Sequence, residues 1–286
     1  MAAAQCRVES AFEAPLVSMV IATYGRRERL QRCIAQVRRN VRLSHEMVVV
    51  GGGAGDGTEE WLATQTDVRF ILETRREGAT KAYNKGFRAA RGRYVMWLND
   101  DSYPLAGAVE AAVEMFQRPD LPDLGMVAFY HNEERQWNKL DTCEHEGQSF
   151  GIYNVRGVPY ANFGLLRREL LARLGYLDEG YYFCAWDPDL ALKVQREAGL
   201  KVLGCRQALV YHEVLIDERK AADMMLIDAD NARLFAKWSL PEKFGYADPG
   251  PAYRRVLRER GLLGVAAAAR DEALGSCHRG HEGRGS

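Results

Sequence analysis

The 286-residue chain has no excess charge of either sign, with 39 Lys and Arg against 39 Asp and Glu. A balanced chain has no long-range field to gather polyanions, so no nucleic-acid partner is expected and binding must come from local clusters. Its six cysteines (Cys6, Cys33, Cys143, Cys184, Cys205, Cys277) include no C-x-x-C pair. That argues against a zinc ribbon or redox motif and fits reduced thiols in a reducing compartment. No apolar run approaches the roughly 18 residues of a membrane span, and residues 1–10 have neither the basic start nor the apolar core of a secretory signal. A cytoplasmic protein is expected. No internal repeat is visible. The glycine-rich stretch 51–57 lacks the i, i+2, i+5 glycines of a dinucleotide fold, and no Gly-Lys-Ser/Thr closes it as a P-loop. What remains is a loop that lets backbone approach a ligand closely.

What is present alternates strand and helix. Residues 16–23 (LVSMVIAT) are almost continuously apolar, the pattern of a strand buried on both faces. Leu30, Cys33, Ile34 and Val37 then recur at helical spacing. A strand over 47–50 runs into the glycine loop, after which Asp56 and Glu59 are placed as a capping box for a helix carrying Trp61 and Leu62. A third strand fits 68–72, and an amphipathic helix from Gly78 through Ala90 leads to a fourth strand over 94–98. Pro104 is placed to open a helix through Val109, Val113 and Phe116. Four β units in succession predict an α/β fold with a parallel central sheet and right-handed crossovers.

The second half is less regular. Strands fit 126–130, 158–166, 201–203 and 208–211, the last delivering His212. Residues 131–148 read as a loop or hairpin over the site, 167–174 as a short helix ended by an αL Gly175, and 217–238 as one helix. The boundaries that follow are an N-terminal extension 1–15, a catalytic domain 16–240 divided into halves 16–103 and 104–240, and a C-terminal segment 241–286. That last segment is a helix over 253–269 followed by a disordered tail.

The fourth strand ends in Asn99-Asp100-Asp101-Ser102. Asn99 and Asp101 are two apart, so in an extended segment both side chains share a face and could share an oxygen-loving cation such as Mg²⁺ or Mn²⁺. A solvated turn is the simpler reading of the same residues.

Several motifs together resemble a known family. The order Val20-Ile-Ala-Thr-Tyr24, Gly53-x-x-Asp56-Gly57-Thr58, Gly78-x-x-x-Ala82-x-Asn84-x-Gly86 and Leu98-Asn-Asp-Asp101 is similar to a GT-A glycosyltransferase of the family 2 type. Gly175-Tyr-Leu-Asp-Glu179, Trp186-Asp187-Pro-Asp189 and His212 continue the likeness, which covers about residues 16–238. It implies a mixed sheet with a parallel core flanked by helices, and inverting transfer of a sugar from a nucleoside diphosphate sugar to a saccharide or lipid-linked acceptor. The family's Asp-x-Asp maps to Asn99-Asp100-Asp101, which makes Asp101 the chief ligand of a divalent cation (Mn or Mg), with Asn99 and His212 beside it. Asp187 takes the position of the general base. Thr23, Tyr24, Gly51, Gly53, Asp56, Gly78, Lys81, Asn84 and Asp100 fall on the donor side, and Trp186 and Asp189 on the acceptor side. Asp187 or Asp189 could instead cap its helix, and Trp186 could simply be buried.

Two departures stand out: Gly51 where an acidic residue usually meets the pyrimidine, and Asn99 for the first aspartate. They motivate the alternative of a non-catalytic nucleotide-sugar-binding protein of the same fold. A sugar-1-phosphate nucleotidyltransferase would want a glycine-rich basic loop after the first strand, and Tyr24-Gly25-Arg26-Arg27 is too short for that. No Gln-x-x-Arg-Trp appears, which speaks against a processive polymerase. The basic stretch 254–260 with Leu262, Leu263 and Val265 is compatible with peripheral contact with anionic lipid.

Overall fold

The computed structural model describes residues 14–132, 138–160, 162–213 and 216–240, with 255, 257–259, 261, 262 and 264. Apolar runs at the start of the chain form β1 (Val17–Thr23), β2 (His45–Gly51), β3 (Val68–Leu72) and β4 (Tyr94–Asn99), which pair in parallel in the order β3-β2-β1-β4. Between them run α1 (Arg27–Asn40), α2 (Thr58–Leu62) and α3 (Ala79–Ala89). Because successive side chains on a strand point to opposite faces, β4 splits its residues between two cores. Val95 and Trp97 join Tyr83 and Phe87 of α3, while Tyr94, Met96 and Leu98 join Leu30, Cys33, Ile34 and Val37 of α1. Each such large side chain, once fully buried, contributes about 1.5–3 kcal/mol.

The second half extends the same sheet. It adds β5 (Ser102–Pro104), α4 (Ala108–Met115), β6 (Leu124–His131), β7 (Lys139–His145), β8 (Gln148–Val155), β9 (Val158–Tyr160), β10 (Gly164–Arg167), α5 (Arg168–Arg173), α6 (Trp186–Leu192), β11 (Lys201–His212), α7 (Glu218–Met224) and α8 (Ile227–Trp238). Strand β10 lies antiparallel between β4 and β6, β11 runs parallel to β6, and β5 closes the edge against β11. The sheet is therefore mixed with a parallel core.

Several boundaries differ from the sequence expectation. Pro104 ends β5 instead of opening a helix, because the 102–104 backbone pairs with β11; α4 begins only after Gly107 in a left-handed conformation. The stretch 201–211 is one strand with a register shift between Cys205 and Leu209, not two strands. The expected strand 158–166 is broken into β9 and β10. Residues 217–238 form two helices, α7 and α8. The expected hairpin is β7–β8, but none of its residues lines the cleft described below. Asp56 and Glu59 do not form a capping box: Asp56 accepts from the Thr58 amide and hydroxyl and from the Arg27 amide, and Glu59 accepts from the Gly53 amide. Of the expected C-terminal helix 253–269 only 255, 257–259, 261, 262 and 264 are described; 255, 257–259 and 264 are helical, and buried Leu257 packs with Ala221, Met224 and Ile227, while the rest of that segment lies outside the described residues. Among the described residues no helix is long and apolar enough to cross a membrane.

Candidate active site

Strand C-termini in a parallel sheet share one edge, and ligands bind there. At that edge a cleft is lined by Thr23, Tyr24 and Arg26 after β1, by Asn99, Asp100 and Asp101 after β4, and by His212 at the end of β11. The same lining includes Trp186 and Asp187 of α6, together with Arg219, Lys220 and Asp223 of α7.

The turn after β4 is held by the Ser102 hydroxyl, which accepts from the Asn99 amide and donates to the Asn99 carbonyl, each at 2.9 Å. The antiparallel β5–β11 register places His212 opposite Ser102, and so beside Asp101. His212 Nε2 lies 3.2 Å from Asp101 Oδ1, while Arg26 donates to Asp101 Oδ2 at 2.9 Å. Asp100 accepts from the Thr23 hydroxyl at 3.0 Å and lies 3.4 Å from Arg26 and 3.6 Å from Arg219. Burial opposes the charge of Asp101, but His212, Lys220 and Arg26 outweigh it and hold the carboxyl well below the usual carboxylate range. For Asp100, burial dominates over Arg219 and Arg26 and raises its pKa.

A divalent cation is compatible with this donor set. Among the described residues no group of three or more His, Cys, Asp or Glu converges on one point. Asp101 and His212 nevertheless present an oxygen and a nitrogen to each other, and magnesium-type sites often rest on one or two carboxylates completed by substrate phosphates and water. Asn99 contributes less than the sequence suggested: its Oδ1 accepts from the Tyr83 hydroxyl at 2.8 Å, and its Nδ2 faces His212 Nε2 at 3.4 Å.

Asp187 reaches the cleft through an irregular segment. The Asp230 carboxylate on α8 accepts from the backbone amides of Tyr182, Phe183 and Cys184 at 2.8–3.0 Å. Ala185 then takes a left-handed turn at φ 64° and starts α6. The same segment docks on the first half, because the Tyr182 carbonyl accepts from the Ala79 amide at the start of α3. Gly78 permits this approach with φ +100°, and a Cβ there would lie 3.0 Å from the Tyr182 ring. Trp186 is 6% exposed and packs on Tyr83 and Trp97 with ring centroids 5.1 and 5.7 Å away, so it is part of the core with one edge in the cleft wall.

Of the residues singled out from sequence, Thr23, Tyr24, Gly78, Asn99, Asp100, Asp101, Trp186, Asp187 and His212 line one cleft. Gly51, Gly53, Asp56, Lys81, Asn84 and Asp189 do not. Buried Asn84 instead exchanges bonds with the Leu177 backbone. Asp189, 1% exposed, accepts from Tyr181, Lys237 and Trp238. Asp56 clasps its own loop, and Lys81 sits on α3 away from the cleft lining. Sequence reasoning missed Arg26, Glu73, Arg76, Arg219, Lys220 and Asp223 in the cleft, and Asp230 behind it. One signal was available: Arg219 and Lys220 stand in the first turn of α7, where the helix dipole disfavours cations.

The sheet order, the cleft at its C-terminal edge and the acidic turn facing a basic helix start define a GT-A, nucleotide-diphospho-sugar transferase type of fold. Residues 18–175 match the profile of the family described as glycosyl transferase family 2, and the chain belongs to that family. Chondroitin synthase of Escherichia coli is 26% identical over 237 residues, covering 79% of this chain, which spans only 33% of that protein's length. In fold the chain is similar to the mannosyltransferase PcManGT of Pyrobaculum calidifontis in complex with GDP-Man and Mn²⁺. That likeness has a TM-score of 0.58 at 21% identity and covers 92% of this chain and 76% of the other. It is also similar to S. aureus TarS in complex with UDP-GlcNAc, with a TM-score of 0.53 at 15% identity, covering 90% of this chain and 88% of the other.

Proposed function

We propose that the chain is an inverting, divalent-metal-dependent glycosyltransferase that moves a sugar from a nucleoside diphosphate sugar to an acceptor hydroxyl of a saccharide or glycolipid. The observation that carries this reading is the meeting, across one cleft, of Asp187 with Asp100 and Asp101 and the cations Arg26, Arg219 and Lys220. Such a transfer releases a diphosphate whose negative charge grows in the transition state, and preorganised positive groups aimed at that charge lower the barrier. Arg219 and Lys220 supply it from α7. Asp101 and His212 would hold the cation, which when bound acts as a Lewis acid on the leaving diphosphate. The Pyrobaculum transferase, with its GDP-Man and Mn²⁺, supports both the donor class and the cation.

Inversion requires a base that takes the acceptor proton on the face opposite the leaving group. Asp187 suits that role. It is half-buried in the first turn of α6 and lines the same cleft as the β4 turn, at a helix start, where negative charge is favoured.

A panel of UDP-, GDP-, dTDP- and CMP-sugars with Mn²⁺, Mg²⁺ or chelator, scored for nucleotide release, tests the reading. Metal-dependent turnover is expected, falling by ~10²-fold or more in Asp101→Ala. Metal-independent turnover that survives the substitution overturns the role of the cation. Arg26 bonded to both carboxylates favours a second reading, a non-catalytic nucleotide-sugar-binding protein. Nucleotide-induced thermal stabilisation without any turnover would select it.

A further inference from the structure

Arg26 is gripped from two sides. It stands at the start of α1, where its carbonyl accepts the amides of Arg29 and Leu30 at 3.0 Å, so its backbone is fixed. Its side chain, 4% exposed, meets the carboxylates of Asp100, Asp101 and Asp217. Toward the turn after β4, Nη1 donates to Asp101 Oδ2 at 2.9 Å and lies 3.4 Å from Asp100 Oδ1. Toward α7, Nε donates to Asp217 Oδ2 at 2.7 Å. Asp217 is itself held, because it caps α7 by accepting the Lys220 amide at 2.8 Å. A buried guanidinium tied in this way has little freedom to swing away from the turn.

Both oxygens of Asp101 are therefore engaged by groups of this chain, Oδ2 by Arg26 and Oδ1 by His212 Nε2 at 3.2 Å. A divalent cation drawn to Asp101 meets a fixed positive charge on the same carboxylate, and at a buried site that repulsion is poorly screened. Arg219 is placed differently. It reaches Asp100 at 3.6 Å from a side chain 23% exposed, so it can turn toward water or a phosphate. A diphosphate arriving with the cation reverses the balance: its negative charge offsets Arg26, and its oxygens complete the cation's shell.

We propose that Arg26 is the resident counter-ion of the acidic turn and competes with the divalent cation for Asp101, so that the cation binds weakly alone and firmly only together with the nucleoside diphosphate. Arg26 is a positioning residue here, since it acts on the cation through Asp101. The inference rests on the divalent-cation reading above and adds the residue that sets the cation's affinity. The sign of one substitution separates this role from that of a structural ion pair. Removing a structural pair loosens the turn and lowers cation affinity, or leaves it unchanged; removing a competitor raises it.

Titration of Mn²⁺ into the full chain, followed by electron paramagnetic resonance, alone and with GDP, UDP, dTDP or CDP, tests it. Wild type should bind Mn²⁺ ~10-fold or more tightly with a nucleoside diphosphate than without, and Arg26→Gln should bind free Mn²⁺ ~10-fold tighter than wild type. Arg219→Met should stay within ~3-fold of wild type for free Mn²⁺, because Arg219 does not hold Asp101. Asp217→Asn keeps a capping side chain on α7 but leaves the charge of Arg26 to the turn, and should weaken free Mn²⁺ by ~3-fold or more. It carries the test by itself if Arg26→Gln lacks a cooperative circular dichroism melt. Equal wild-type affinity with and without nucleotide, a folded Arg26→Gln no tighter than wild type, Arg219→Met as tight as Arg26→Gln, or Asp217→Asn equal to or tighter than wild type would each overturn the inference. Wild type that binds no Mn²⁺ with any of these nucleotides would instead overturn the divalent-cation reading, and the inference with it.

Discussion

The two halves of the molecule deliver their site residues by different physics. In the first, Thr23 and Asn99 stand at the ends of fully paired strands, and their positions follow from strand length and sheet order. In the second, Asp187 follows a segment without a ladder of its own, whose amides at 182–184 are gathered by one carboxylate that arrives from α8. A ladder distributes its hydrogen bonds over many residues, so it tolerates single changes. The second arrangement concentrates three backbone bonds on Asp230, which makes its half of the site the more fragile one.

That contrast can be broken at three points. The largest effect is expected at Asp187 itself. Asp187→Asn keeps the fold and nucleotide binding and loses ~10²-fold or more in kcat, measured by steady-state nucleotide release beside calorimetric binding of the nucleoside diphosphate. Near wild-type turnover would remove Asp187 as the base.

Next comes Asp230→Ala, which leaves the amides of Tyr182, Phe183 and Cys184 without their acceptor. A loss of ~2–3 kcal/mol is expected in urea unfolding, with a fall in kcat and little change in nucleotide affinity. If nucleotide affinity fell as far as kcat, the halves would not be separable in this way.

The smallest effect is a pH dependence. Asp178 lies in the same segment, and although burial would raise its pKa, the Arg233 fork, the Gly180 amide and Lys237 outweigh this and bring it to about 2. A carboxyl depressed in the folded state stabilises fully above its unfolded value of ~3.9, and that stability is lost as pH falls through about 2. After discounting for solvent screening, about 1 kcal/mol should disappear between roughly pH 4 and 2. Urea titrations of wild type against Asp178→Asn across that window measure it, and parallel curves would show that α8 holds this segment without Asp178.

Legibility in the sequence followed the same division. The period-2 and period-3.6 patterns placed β1 to β4 and α1 to α3 because each element there buries a regular stripe. They failed at Pro104, where pairing with β11 overrode local helix chemistry, and at 217–238, where two helices share one apolar pattern. Among site residues, Thr23 and His212 were legible as strand ends and Asp101 as part of the acidic turn after β4, with their roles taken from the family resemblance. Asn84 and Asp189 carry the same family motifs, yet their side chains turn inward to bonds with Leu177 and Trp238. Arg26 was invisible because its partners, Asp100, Asp101 and Asp217, are 74 to 191 residues away.

By itself the sequence determined the parallel core, the cleft edge and the acidic turn after β4, since these follow from local periodicity and from motif order along the chain. Only the tertiary structure decided how that turn is charged. It brought Arg26, Arg219 and His212 onto the carboxylates, engaged the Asn99 side-chain oxygen with the Tyr83 hydroxyl, and tied the Glu73 amide to the Gly51 carbonyl. Charge and hydrogen bonding act between atoms within a few ångströms of each other, and neighbours of that kind are fixed by packing, not by spacing along the chain.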